Sequence, residues 1–147
     1  MKRSTLTFLL LLAAGSASAH DIAEARTFFE RYQSLEKAFD VTLAELYCDS
    51  AFLRHVRTYP GGMQRTLELP ASKYKAMIRS LMPLARFRGD FATYTGATFV
   101  AEGAGTRIKA TRHSQMKGYS SPFSMLIGDC GNGTIGILEE LGESRAF

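Results

Sequence analysis

The chain has 147 residues, with 18 Lys and Arg against 14 Asp and Glu and only two cysteines. That length suits one domain with a real hydrophobic core and leaves no room for a second of ordinary size. The basic excess is mild and interleaved with acidic residues along the predicted elements, without the clustered stripe that phosphate neutralisation favours, so nucleic-acid binding is excluded.

Residues 1–19 follow the pattern of an export signal. Lys2 and Arg3 form the basic start, Leu6 to Ala14 the apolar stretch, and Ala17-Ser18-Ala19 the small residues for a peptidase cutting before His20. The apolar stretch is shorter than the ~20 residues of a spanning helix, and an uncleaved anchor is the alternative. No later segment of the sequence reaches that length. The expectation is a single domain of residues 20–147, exported to a periplasmic or secreted location, with no membrane span after cleavage.

From Ile22, the spacing of Ala25, Phe29, Tyr32 and Phe39 predicts one amphipathic helix. Asp40 is a candidate cap for a short second helix over 41–47, because its carboxylate can accept from the first free amides. Residues 51–59 and 63–69 flank the turn Pro60-Gly61-Gly62 and predict a hairpin. A third helix is predicted over 72–82, kinked or ended by Pro83. Four strands follow, over 93–102, 106–117, 122–130 and 134–141, joined by short glycine-rich turns, and residues 143–147 read as a mobile tail. Helix, helix, hairpin, helix and a four-strand meander favour an α+β fold, an antiparallel sheet with helices on one face.

Cys48 and Cys130 both lie in the exported part, where an oxidising compartment allows them to pair. Two free buried thiols are the alternative. A redox pair is disfavoured because no Cys-x-x-Cys spacing is present.

The order of elements, the segment Leu46-Tyr47-Cys48-Asp49-Ser50-Ala51 and the ending Gly133-x-Ile135-x-Ile137-x-x-Glu140-Leu141 resemble the nuclear transport factor 2-like superfamily (SnoaL-like, cystatin-like). Ser50 stands where the common pattern carries a second Asp, and Ile135 where many relatives carry Trp. The resemblance implies a curved sheet of about six strands wrapped around the long N-terminal helix with two further helices, a cone whose open end holds a small apolar ligand. Homodimerisation through the outer sheet is also implied. Such a fold hosts many activities and selects none.

Period-two alternation groups Ile108, Ala110, Arg112 and Ser114 on one face of the fourth strand, taken as the concave one. A desolvated Arg112 needs a carboxylate, and Glu139, sharing a face with Ile135 and Ile137, is the candidate by pattern. The pair would orient a ligand or serve as an ion pair at the rim. His55, with Leu53 and Arg57, is a candidate general base if its face points inward and an ordinary strand histidine if outward. Tyr32, Tyr47 and Tyr74 are candidate hydroxyl donors in the pocket, or core residues with the oxygen near the edge. Asp40, Asp49 and Asp90 lie near caps or turns, which argues against ketosteroid-isomerase-type chemistry. His20, the first residue after cleavage, does not make a persuasive copper site, Asn132-Gly133-Thr134 is a formal glycosylation acceptor, and no cofactor or metal motif appears.

Three functions compete. The first is a non-catalytic small-molecule-binding module with Arg112 and a tyrosine for orientation. The second is a pocket lyase, isomerase or hydrolase with His55 as base, and the third a dimeric or partner-binding protein with a filled core.

Overall fold

The computed structural model describes residues 19–146, with side chains from Asp21 onward. But for the backbone of Ala19, the expected signal peptide lies outside the described residues, as does the side chain of His20. The elements are α1 (Ala19–Lys37), a 3-10 helix (Val41–Leu46), β1 (Tyr47–Thr58), β2 (Gln64–Pro70), α2 (Ala71–Arg88), β3 (Ala92–Glu102), β4 (Gly105–Ser114), β5 (Tyr119–Asp129) and β6 (Ile135–Arg145).

The six strands form one sheet in the order β2-β1-β6-β5-β4-β3. Hairpin neighbours pair antiparallel, as the short turns dictate. β1 and β6 instead run parallel, Leu53 beside Glu140 and Thr58 beside Arg145, so the sheet is mixed where an antiparallel one was expected. The reason is connectivity: these two strands share no turn, and α2 with four further strands separates them in the chain. Pairing with β1 also orders the chain as far as Arg145, where a mobile tail was expected from residue 143.

α1 lies across the concave face and buries Ala25, Phe29 and Tyr32. Phe29 meets Tyr94 and Phe99 edge-on and stacks on Phe123, each ring within 6.4 Å centroid to centroid. These contacts, with Ile108, Met125 and Ile137 fully enclosed beneath them, form the core. The helix ends earlier than its apolar spacing suggested, because Phe39 takes a left-handed backbone (φ 55°) and Asp40 N–H closes onto the Leu35 carbonyl. Asp40 then caps the 3-10 helix by accepting from Thr42 N–H at 2.8 Å.

α2 runs through Pro83 rather than stopping there. A proline removes one helical donor, but Met82 and Ala71 are buried against the rest of the domain and hold the element together. The stop is Gly89, whose φ of 64° lets its own N–H and that of Asp90 satisfy the last carbonyls.

Candidate functional site

In a paired sheet, opposite residues share a face, so the register gives the inner surface row by row. Ile108, Met125, Glu140, Leu53 and Leu69 form one row, deep in the cone. Ala110, Phe123, Gly142, His55 and Leu67 form the next. A third row toward the open end is polar, with Arg112 and Ser121 on one side and Ser144, Arg57 and Arg65 on the other.

Glu140 is the acid of the deep row. Tyr47, from the start of β1, donates to its Oε2 at 2.5 Å, and Tyr74, from α2, donates to Oε1 at 3.2 Å. The two phenol rings pack edge to face at 5.1 Å. Burial pushes the Glu140 carboxyl up to about 7, opposed by the two phenolic donors and Arg112 and reinforced by Glu36. Tyr32, Tyr47 and Tyr74 are all pushed well above the usual phenol range, first by burial and then by the charge of Glu140, so they act as donors at neutral pH.

A second carboxyl, Glu36 of α1, accepts from Tyr94 at 2.7 Å and pairs with Arg112 at 3.4 Å. Burial raises its pKa and Arg112 counters that rise. Arg112 therefore finds its carboxylate on the helix. The pairing expected with Glu139 does not form: Glu139 points to the outer face and holds Arg107 at 2.6 Å, which Glu102 holds from its other side at 2.6 Å. The cause is a β-bulge. β5 sets Ile127 opposite Ile137 but Leu126 opposite Glu139, so Leu138 is an extra residue, and beyond it the inward position passes from odd to even numbers.

His55 shares the inward face with Leu53 but stands at the rim, exposed, with Nε2 2.7 Å from Ser144 Oγ. Partial burial, then the charges of Arg112, Arg57 and Lys117, lower its pKa, so the ring is neutral at pH 7. A pocket of about 230 Å³ joins it to Glu140, with Leu53, Arg54, Leu67, Leu69, Tyr74 and Met77 as walls. Tyr74 thus lines the open pocket, whereas Tyr32 and Tyr47 lie behind it as buried supports. Ser114 is buried, and its hydroxyl accepts from Lys117 N–H in the β4–β5 turn. Of the expected site residues, the fold brings Tyr47, Tyr74 and His55 around one acid and sends Glu139 elsewhere. A cavity of about 270 Å³ beside the start of α1 and the β3–β4 turn is lined by Asp21 and Glu24 but by no member of the tyrosine network.

Glu140, Glu36 and Tyr94 are the site residues that pattern reading missed. Glu36 was legible: it lies four residues after Tyr32 and seven after Phe29, on the buried face of α1. Glu140 was not, because the alternation from Ile135 predicts that it points outward. Among the described residues, no group of three His, Cys, Asp or Glu side chains is placed to hold a metal, and no helix is long and apolar enough to cross a membrane.

On the outer face, Cys48 and Cys130 form a disulfide with Cα atoms 5.2 Å apart, spanning 82 residues of sequence. It passes over Gly136, where a Cβ would stand 2.6 Å from one sulfur and 2.9 Å from the other. A bond of this kind belongs to a non-reducing compartment.

No protein-family model matches the sequence, and no curated protein does. Solved structures do match. An NTF2-like protein of unknown function from Pseudomonas putida KT2440 superposes with a TM-score of 0.61 at 14% identity, over 84% of this chain and 86% of that one. A protein of unknown function with a cystatin-like fold from Nostoc punctiforme PCC 73102 gives 0.56 at 10% identity, over 86% and 92%. A chain of naphthalene 1,2-dioxygenase, solved with indole bound in the active site, gives 0.61 at 8% identity, over 87% and 80%. With its six-strand sheet curved around α1 and left open rather than closed into a barrel, this chain has the nuclear transport factor 2-like, cystatin-like fold.

Proposed function

We propose that the chain is an exported small-molecule-binding domain whose ligand lies in the pocket between β1, β2 and α2, with its polar contact at Glu140. The observation that carries this reading is a carboxyl held by two tyrosines in the wall of an otherwise largely apolar pocket of about 230 Å³. Pockets of that make-up bind through apolar area and orient through a few fixed polar groups. The signal-like residues 1–19 and the disulfide support export. The test is native mass spectrometry of the protein recovered from the exported fraction. A recurring adduct that is lost in Leu69→Trp, which fills the pocket, supports the reading. A bare mass in every preparation, with no uptake of small apolar probes, sinks it.

One observation favours a second, catalytic reading. A carboxyl with a pKa of about 7 is poised to take and return a proton at neutral pH. In that case Glu140 is the acid or base, while the neutral His55 at the rim accompanies it as a hydrogen-bonding group. Deuterium uptake from D2O into the acidic C–H positions of added cyclic ketones, followed by NMR, tests this. Uptake abolished by Glu140→Gln and kept by His55→Ala supports Glu140, the reverse pattern supports His55 as the base, and no uptake in the unmodified protein removes this form of catalysis.

A further inference from the structure

Beyond His55 the pocket does not end. Leu67 and His55 also line a second cavity of about 350 Å³, which continues along β1 and β2 toward the open end and is walled by Arg57, Arg65, Tyr59 and Ser144. The two cavities therefore adjoin across His55 and Leu67, an acid-bearing inner one and a basic outer one.

Arg57 and Arg65 are opposite each other in the β1–β2 register and point to the same inner face. Like charges directly opposite across a strand pair repel and destabilise it. Neither has an acidic partner among the described residues. Both guanidinium groups are instead held over the ring of Tyr59, at 5.5 and 5.7 Å from its centroid. The ring fixes their position and leaves their N–H forks unsatisfied by any carboxylate of the chain. Two preorganised, unneutralised guanidinium groups at the mouth of an apolar pocket fit a planar anion, which accepts from both and removes their repulsion.

We infer that the ligand is an amphipathic carboxylate, its acid group held by Arg57 and Arg65 at the rim and its apolar body reaching inward along Leu67 and Leu69 toward Glu140. This rests on the pocket reading above. The geometry sets the length: four residues of β1 separate Leu53, beside Glu140, from Arg57, about 13 Å at the usual strand rise. A carboxylate held at the arginines reaches Glu140 only when its apolar body is about that long, and a shorter one lies along Leu67 alone.

The experiment compares octanoate with octan-1-ol, which share an apolar body and differ in the head group, by calorimetric titration of the full exported protein. Octanoate is expected to bind at least about tenfold more tightly, the usual worth of a charge-assisted pair of hydrogen bonds. In Arg57→Gln/Arg65→Gln that preference disappears, with octanol affinity unchanged within about twofold. Raising the salt concentration on the unmodified protein weakens octanoate binding alone, so the inference remains testable should the double variant fold poorly. Equal affinities for the two probes, or a preference that survives both the double variant and salt, overturn the inference while leaving the pocket reading intact. Failure of both probes to bind overturns the two together.

Discussion

Tyr47 and Glu140 stand 93 residues apart in sequence and meet at 2.5 Å, the phenol of the first β1 residue donating to a carboxyl of the last strand. Tyr74 takes the other oxygen from α2. Donors on both oxygens favour the carboxylate and burial favours the acid, and burial wins, leaving the group near 7. Three elements are thereby tied to one proton.

That proton makes stability depend on pH. Glu140 is raised from an ordinary 4.5 to about 7, so the folded chain keeps a proton that the unfolded chain loses. Its contribution is fully present below pH 4.5 and is lost as pH rises through 7, about 3 kcal/mol in all by linkage. Denaturation midpoints of wild type and Glu140→Gln, measured from pH 4 to 8, are expected to diverge in this window, with the variant gaining relative to wild type as pH rises. Parallel curves would show that Glu140 titrates normally.

The tyrosines act on the same group in the opposite sense. Tyr47→Phe removes the strongest influence holding the Glu140 pKa down, so its titration, followed by carboxyl carbon NMR, is expected to move above 7, and Tyr74→Phe to move it less far. A downward shift in either variant would contradict the assignment of the two phenols as donors.

Arg112 and Glu36 should be energetically coupled and Arg112 and Glu139 should not. A double-mutant cycle with Arg112→Met and Glu36→Gln is expected to give a coupling of about 1 kcal/mol or more, since the pair is largely shielded from solvent. The cycle with Glu139→Gln is expected to give a value near zero, because that carboxyl holds Arg107 on the other face. Equal couplings would mean that the bulge at Leu138 is misplaced.

Removing the disulfide should lower stability by up to about 4.5 kcal/mol, from the loop-closure entropy of its 82-residue separation. Gly136→Ala is expected to destabilise the oxidised protein more than the Cys48→Ser/Cys130→Ser variant, because the added methyl group would collide with both sulfurs. Thermal melts of the four proteins decide it, and an equal loss in both backgrounds would place the strain elsewhere.

Much of this fold was legible in the sequence. The apolar spacing from Ala25 to Tyr32 marked α1, the glycine-rich turns marked the strands, and the inward face of Ile108, Ala110 and Arg112 came out correctly because β4 stays regular from Thr106 to Ser114. The site was harder to read. Alternation carries a face assignment only as far as the next bulge, and Leu138 interrupts it two residues before the residue that matters most. Glu139 and Glu140 are chemically alike, and only one inserted residue decides which of them faces the pocket and which braces the outer face. The partner of Arg112 was missed for another reason: it comes from a helix packed across the sheet, and strand periodicity has nothing to say about what lies above a face. The parallel pairing of β1 and β6 is equally silent, since no turn announces it.

The disulfide bears on the order in which the chain assembles. Both cysteines precede β6, yet the finished bond lies across that strand. A chain oxidised early already holds the start of β1 and the end of β5 side by side, and the last strand has to slide in beneath the link. Position 136 is the point of passage, and a residue without a side chain is what leaves it open.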